Sequence, residues 1–255
     1  MNDDLIRLVN RAEGLLERLE TLLPAAPAAV DWQVARAARW QVLSGNRRAL
    51  VPIAHPQTLD LDDLQGIDRA KAALERNTRQ FLAGAPAHAA LLWGSRGTGK
   101  SSLVKALLTR HAAAGLRLIE VDKDHLVDLP DIAAATAGLP YRFIVFCDDL
   151  SFGSDEPAYK ALKVALDGSV SGGREHLLIY ATSNRRHLLP EWMEENARTR
   201  YEGEEIHPAE AVEEKISLSE RFGLWLSFHP FTQDQYLAVV AHWLARLGSA
   251  PDGDG

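Results

Sequence analysis

Gly94-Ser95-Arg96-Gly97-Thr98-Gly99-Lys100-Ser101 spells G-x-x-x-x-G-K-S, the pattern of a loop that cradles nucleotide phosphates. Ala89-Ala90-Leu91-Leu92-Trp93 in front of it reads as a strand entering the loop, and Leu103-Val104-Lys105-Ala106-Leu107-Leu108 behind it as the helix leaving. Glycines let successive backbone N–H groups turn toward phosphate oxygens with no Cβ in the way. A helix starting near Lys100 points its positive end at the same anion. Lys100 is then expected to reach the β- and γ-phosphates and Ser101 to ligate Mg²⁺, with Ser102 closing the nucleotide-binding set. An ordinary glycine-rich turn is the competing reading. It is disfavoured because strand and helix stand where phosphate binding needs them.

About fifty residues on, Phe143-Ile144-Val145-Phe146-Cys147-Asp148-Asp149 is an apolar strand ending in two carboxylates. Asp148 fits the group that holds Mg²⁺ across from Ser101, and Asp149 the group that orients or activates attacking water. Alone this is a weak signal, since many strands finish in turn-forming aspartates; after a phosphate loop it is a strong one. Leu178-Ile179-Tyr180-Ala181-Thr182-Ser183-Asn184 is a further buried strand with a polar end, from which Asn184 is placed to sense the γ-phosphate or its attacking water.

Strands are read at 89–93, 116–121, 143–147, 177–181 and 224–228, and helices near 68–82, 100–114, 129–137 and 156–166. This alternation predicts an α/β fold, a five-stranded parallel sheet between helices with ligands beyond the carboxyl ends of the strands. Residues 1–58 are read as a helical hairpin and linker, 59–229 as the nucleotide-binding core, and 230–255 as the start of a lid helix with a disordered tail. In the hairpin, Leu5, Leu8, Ala12, Leu15, Leu19 and Leu22 form one helical seam. Asp31 is read as the cap of a second helix carrying Trp32, Ala35, Ala38 and Val42, closed by Ser44-Gly45-Asn46.

The 255 residues carry a formal charge of −7, all of it accounted for between Glu191 and Glu220, where ten glutamates face Arg198, Arg200 and Lys215. That disfavours wholesale attraction to nucleic acid, with Arg185-Arg186-His187 the candidate for a local basic groove. The single Cys147 allows no intrachain disulfide. With an acidic start and no apolar run of membrane-spanning length, a cytoplasmic protein is expected.

The order of parts resembles the AAA+ ATPases: phosphate loop, acidic strand end, polar sensor strand end, then an arginine acting on a neighbouring subunit. The resemblance assigns that last role to Arg221 in Leu218-Ser219-Glu220-Arg221-Phe222-Gly223, against a surface salt bridge as the plainer reading. It likewise makes 61–67 the segment that flanks the adenine. A closer similarity runs from about Leu59 to Tyr236, through Trp93–Ser102, Phe146–Phe152, Tyr180–Leu188 and the stretch from Ile206 to Phe231. On these the chain resembles a bacterial group of ATP-binding proteins called domain of unknown function 815.

The resemblance implies an AAA+ fold, ATP and Mg²⁺ as ligands, a homo-oligomer when nucleotide is bound, and hydrolysis of ATP to ADP and phosphate that remodels or assembles an unknown protein partner. Two departures from most AAA+ ATPases point the other way, toward a nucleotide-gated switch with negligible turnover. Asp149 stands where most have Glu, and the lid stops after one helix, 232–247, with Arg246 in no recognisable sensor context. A nucleic-acid loader ranks third. After the second strand, Asp122-Lys123-Asp124-His125-Leu126 lacks the pore loop of threading unfoldases, and no Asn-Lys-x-Asp segment reads guanine.

Overall fold

The computed structural model describes residues 29–43, 47–152, 157–167, 175–184 and 218–248, with positions 11, 13 and 45 besides. The seam from Leu5 to Leu22, the Arg185-Arg186-His187 cluster and the acidic stretch fall outside the described residues, apart from positions 11, 13 and 218–220. No helix among the described residues is long and apolar enough to cross a membrane.

Among the described residues seven strands form one sheet: β1 (Ala37–Leu43), β2 (Arg47–Pro52), β3 (Ala90–Gly94), β4 (Leu116–Glu120), β5 (Arg142–Cys147), β6 (Leu177–Ser183) and β7 (Leu224–Phe228). Their order across the sheet is β2-β1-β4-β5-β6-β3-β7. The five strands read from the sequence are the parallel core, β4 to β7, each within two residues of its expected ends. Their near-continuous Val, Ile, Leu and Phe content is that of strands buried on both faces. Period-two alternation divides them: Leu91, Ile119, Val145 and Ala181 enter one apolar layer, Leu92, Leu118, Ile144 and Tyr180 the other.

Helices α1 (Asp68–Leu82) and α2 (Lys100–His111) cover the second face through Leu74, Phe81, Leu103 and Leu107. Helices α3 (Leu129–Thr136) and α4 (Pro157–Leu166) cover the first through Ile132, Ala158 and Leu162. A fifth helix, α5 (Gln233–Arg246), begins with a Thr232–Gln235 capping box and buries none of its residues.

The second helix expected from Asp31 is instead a β-hairpin. Asp31 caps a single turn, its carboxylate accepting from the Gln33 N–H at 2.9 Å. The chain then extends into β1, which pairs antiparallel with β2, from Ala38 opposite Pro52 to Leu43 opposite Arg47, and parallel with β4. The alanines at 35, 37 and 38 favour a helix locally. What overrides them is the open edge of β4, whose backbone groups β1 satisfies, together with long-range anchors. The Trp40 indole donates to buried Asp128 at 2.9 Å, Arg48 pairs with the same carboxylate at 3.0 Å, and Arg39 meets Glu120 at 2.6 Å. Gly45, at φ +75°, turns the hairpin rather than ending a helix.

Candidate functional site

The parallel strands end together, and the site is built where they end. Gly94 closes β3 against Phe228 of β7, with the Ser95 N–H donating to the Phe228 carbonyl at 3.0 Å. Gly94 sits at φ +132°, and a Cβ there would lie 1.9 Å from the Phe228 oxygen. Gly94→Ala is therefore expected to cost about 4 kcal/mol or more of stability, read as a fall in the urea midpoint. An unchanged midpoint would mean that the β3–β7 approach is not required.

The loop then enters α2 through Gly99, a left-handed N-cap at φ +89° with no side-chain cap bond. The helix's first N–H groups thus receive no bond from the N-cap side chain. Lys100 is buried and folds back: its ammonium donates to the carbonyls of Gly94 (2.9 Å) and Ser95 (2.7 Å) and to Asn184 Oδ1 (3.2 Å). Burial pushes its pKa below 10.5, while Asp148 and Asp149 hold it up in part. Thr98 Oγ1 also donates to the Ser95 carbonyl, at 2.7 Å.

From the end of β5, the Ser101 hydroxyl donates to Asp148 Oδ1 at 2.6 Å. Strand alternation would aim Asp148 and Asp149 at opposite faces. Asp149 instead adopts φ +53°, the left-handed region that a non-glycine residue enters at a cost of about 1 kcal/mol. Its N–H is held by Thr182 Oγ1 at 2.9 Å, and its carboxylate accepts from Asn184 Nδ2 at 2.6 Å. Arg96 approaches the same carboxylate at 4.0 Å. Cys147, the last residue of β5, is inert: burial pushes its thiol up to about 12.

Arg96, Gly97, Thr98, Gly99, Lys100, Ser101, Ser102, Asp148, Asp149, Thr182 and Asn184 thus line one cavity of about 280 Å³. Gly94 and Ser95 stand behind it and position the lysine. Thr182 is the residue that sequence reasoning missed. Its buried hydroxyl donates to Asp148 and accepts from the Asp149 N–H, joining the two carboxylates to β6. The signal was a hydroxyl inside an otherwise apolar strand.

Two further segments reach this end. The Ile67 side chain lies 3.7 Å from where a Gly99 Cβ would be, and the Phe231 ring packs on Gly66, so the end of the 61–67 segment lies beside the phosphate loop. Arg246 and His242 of α5 bind the buried Asp63 carboxylate at 2.6 and 3.0 Å. Arg246 is therefore engaged by the flanking segment. Arg221 is not brought to the cavity. It precedes β7, whose Leu224 pairs with Ala90 at the start of β3, so it lies at the amino ends of the strands, and it forms an ion pair with Asp167.

Comparison with known proteins agrees with this architecture. The family described as "Protein of unknown function (DUF815)" matches residues 33–253. The chain belongs to that family. Among solved structures, a variant of Thermotoga maritima RuvB superposes with a TM-score of 0.50 at 17% identity, over 74% of this chain and 54% of that one. Aeropyrum pernix ORC1, solved in complex with DNA, gives 0.52 at 15% identity, over 72% and 50%. This DUF815 chain thus spans about half the length of these two solved structures, and its fold is that of the AAA+ P-loop proteins. Among curated proteins none matches its sequence.

Proposed function

We propose that this chain is a Mg²⁺-dependent AAA+ protein that hydrolyses ATP to ADP and phosphate at a boundary between copies of itself, and so remodels or assembles a protein partner. One observation carries the reading: Lys100, Ser101, Asp148, Asp149 and Asn184 converge on a single cavity while Arg221 stands at the far end of the same sheet.

The residues fit the ligands. Gly99 and the open first turn of α2 offer N–H groups to an anion, beside a buried ammonium. The Ser101 hydroxyl and Asp148 carboxylate are hard oxygen donors, and no cluster of three His, Cys, Asp or Glu is found among the described residues. That donor set suits Mg²⁺, which keeps waters and shares phosphate oxygens, better than a metal needing a full protein cage. Ser101 and Asp148 would hold it, and it would neutralise charge on the β- and γ-phosphate oxygens.

The chain's own residues do the rest. The loop and Lys100 bind and orient the triphosphate. Ile67 and Phe231 offer an apolar flank to the base. Asp149, fixed by Thr182 and Asn184, positions or deprotonates the attacking water, and Asn184, linked to both Lys100 and Asp149, relays γ-phosphate occupancy to that carboxylate. Arg221 serves the neighbouring copy's γ-phosphate, since its own is at the other end of the sheet.

A second reading, a nucleotide-gated switch with negligible turnover, is favoured by the Asp149–Asn184 bond. Asp is one methylene shorter than Glu, and a carboxylate held at 2.6 Å by an amide must give up that bond to meet water fully. A DNA partner, as in the ORC1 complex, is opposed by the acidic 191–220 stretch. Steady-state ATP hydrolysis with Mg²⁺, measured across protein concentration, separates the readings. Turnover per subunit that rises with concentration supports the ATPase. Tight binding with turnover at background selects the switch, and absence of binding sinks both.

A further inference from the structure

We propose that Asp167 is a positioning residue that holds Arg221 in the isolated subunit and yields it to the neighbouring copy's phosphate site on assembly. The inference rests on the shared-site reading above and adds the residue that regulates it.

Asp167 directly follows α4, and its N–H bonds the Lys163 carbonyl at 3.0 Å. Its carboxylate therefore sits at the negative end of a helix, where backbone dipoles disfavour an anion and favour a cation. A carboxylate against that rule needs a cation to offset it, and Arg221 Nε donates to Asp167 Oδ1. The partners come from opposite sides of a 54-residue separation, α4 and the turn before β7, so the tertiary fold makes the pair. Lys163 stands one turn back on α4.

The pair is built to exchange. The Asp167 side chain is 49% exposed and that of Arg221 24%, so water and salt screen their attraction. A γ-phosphate presents more charge and more acceptor oxygens than one carboxylate, and displaces it. Until then the guanidinium is kept ordered and partly neutralised, which suppresses premature contacts between copies. The elements that hold the pair lie at the amino ends of the strands, away from the chain's own phosphate loop. Changing Asp167 thus leaves nucleotide binding within the same chain untouched.

The test compares Asp167→Asn, Asp167→Glu and Arg221→Ala with wild type in two assays, ATP turnover across protein concentration and Mg²⁺·ATP-driven self-association by sedimentation velocity. Asp167→Asn is expected to reach both midpoints at about two- to fivefold lower protein concentration, with the KM for ATP unchanged. Asp167→Glu should restore the wild-type midpoint, and in an Arg221→Ala background the Asp167→Asn shift should vanish. If Asp167 only supports the fold, Asn will raise the midpoints or leave them alone, which overturns the catch. Full turnover in Arg221→Ala would instead overturn the shared-site reading. Where turnover is at background, the sedimentation midpoint decides alone by the same criterion.

Discussion

Lys100→Ala is expected to weaken Mg²⁺·ATP binding by about 100-fold while leaving the fold intact. The ammonium is already poised in the cavity, held by two loop carbonyls and Asn184, and burial has removed much of its hydration. A triphosphate meeting it gains charge-assisted hydrogen bonds worth about 3 kcal/mol, and a factor of ten in affinity is about 1.4 kcal/mol. Thermal unfolding offers a second readout. At nucleotide one hundred times the wild-type Kd, ligand linkage adds about 2.7 kcal/mol to wild type and only about 0.4 kcal/mol to the variant. Without the amine, the Gly94 and Ser95 carbonyls lose one donor but stay close to solvent in the loop, so ligand-free stability should fall little. Equal affinities by calorimetry would mean that the triphosphate does not bind here.

Arg221→Ala should do the opposite: keep nucleotide affinity and lose turnover by about 1,000-fold or more, the scale at which an arginine supplied to a γ-phosphate acts. The separation of effects follows from the fold. Arg221 lies before β7 at the amino ends of the strands and the phosphate loop follows β3 at the carboxyl ends. A mixing experiment makes this sharp. Lys100→Ala copies bind nucleotide about 100-fold more weakly but carry Arg221, and at nucleotide near the wild-type Kd their own sites stay almost empty; Arg221→Ala copies bind nucleotide but lack the arginine. Mixed, they rebuild boundaries with one complete site. Turnover is therefore expected to reappear in the mixture, above the sum of the two inactive proteins. If it stays at that sum although the copies co-assemble, Arg221 does not act across a boundary.

The lid connection is a quieter consequence of the same geometry. Asp63, 3% exposed, takes both Arg246 and His242 of α5. The helix is thereby tied to the 61–67 segment, whose Ile67 lies beside the phosphate loop. A buried carboxylate is tolerated only when paired, so this contact is specific to one seating of the helix.

Much of the candidate site is legible in the sequence. The phosphate loop, the Asp-Asp strand end and Asn184 are local signatures, in which neighbouring residues in sequence are neighbours in space. The five core strands were legible for a related reason: strands buried on both faces must be apolar throughout, so they stand out from amphipathic helices. Trp32, Ala35, Ala38 and Val42 misled because their spacing fits a helix face as well as a turn followed by a strand. Local propensity favoured the first, and the free edge of β4 decided for the second. Thr182 went unassigned because a hydroxyl in an apolar strand has many uses, and only the approach of β5 to β6 shows which two carboxylates it joins.

The sequence by itself determined which chemical groups stand at the strand ends: a glycine-rich loop with its lysine and serine, two carboxylates and an amide. These motifs are read from residues a few positions apart, whose geometry the backbone sets locally. Only the tertiary structure decided which groups meet: that Lys100, Asn184 and Asp149 form one hydrogen-bonded chain, that residues 37–52 extend the sheet, and that Arg221 is paired with Asp167 at the opposite end. Contacts between residues 35 to 88 positions apart depend on strand order and register, and these follow from burying two apolar faces at once, which no local pattern encodes.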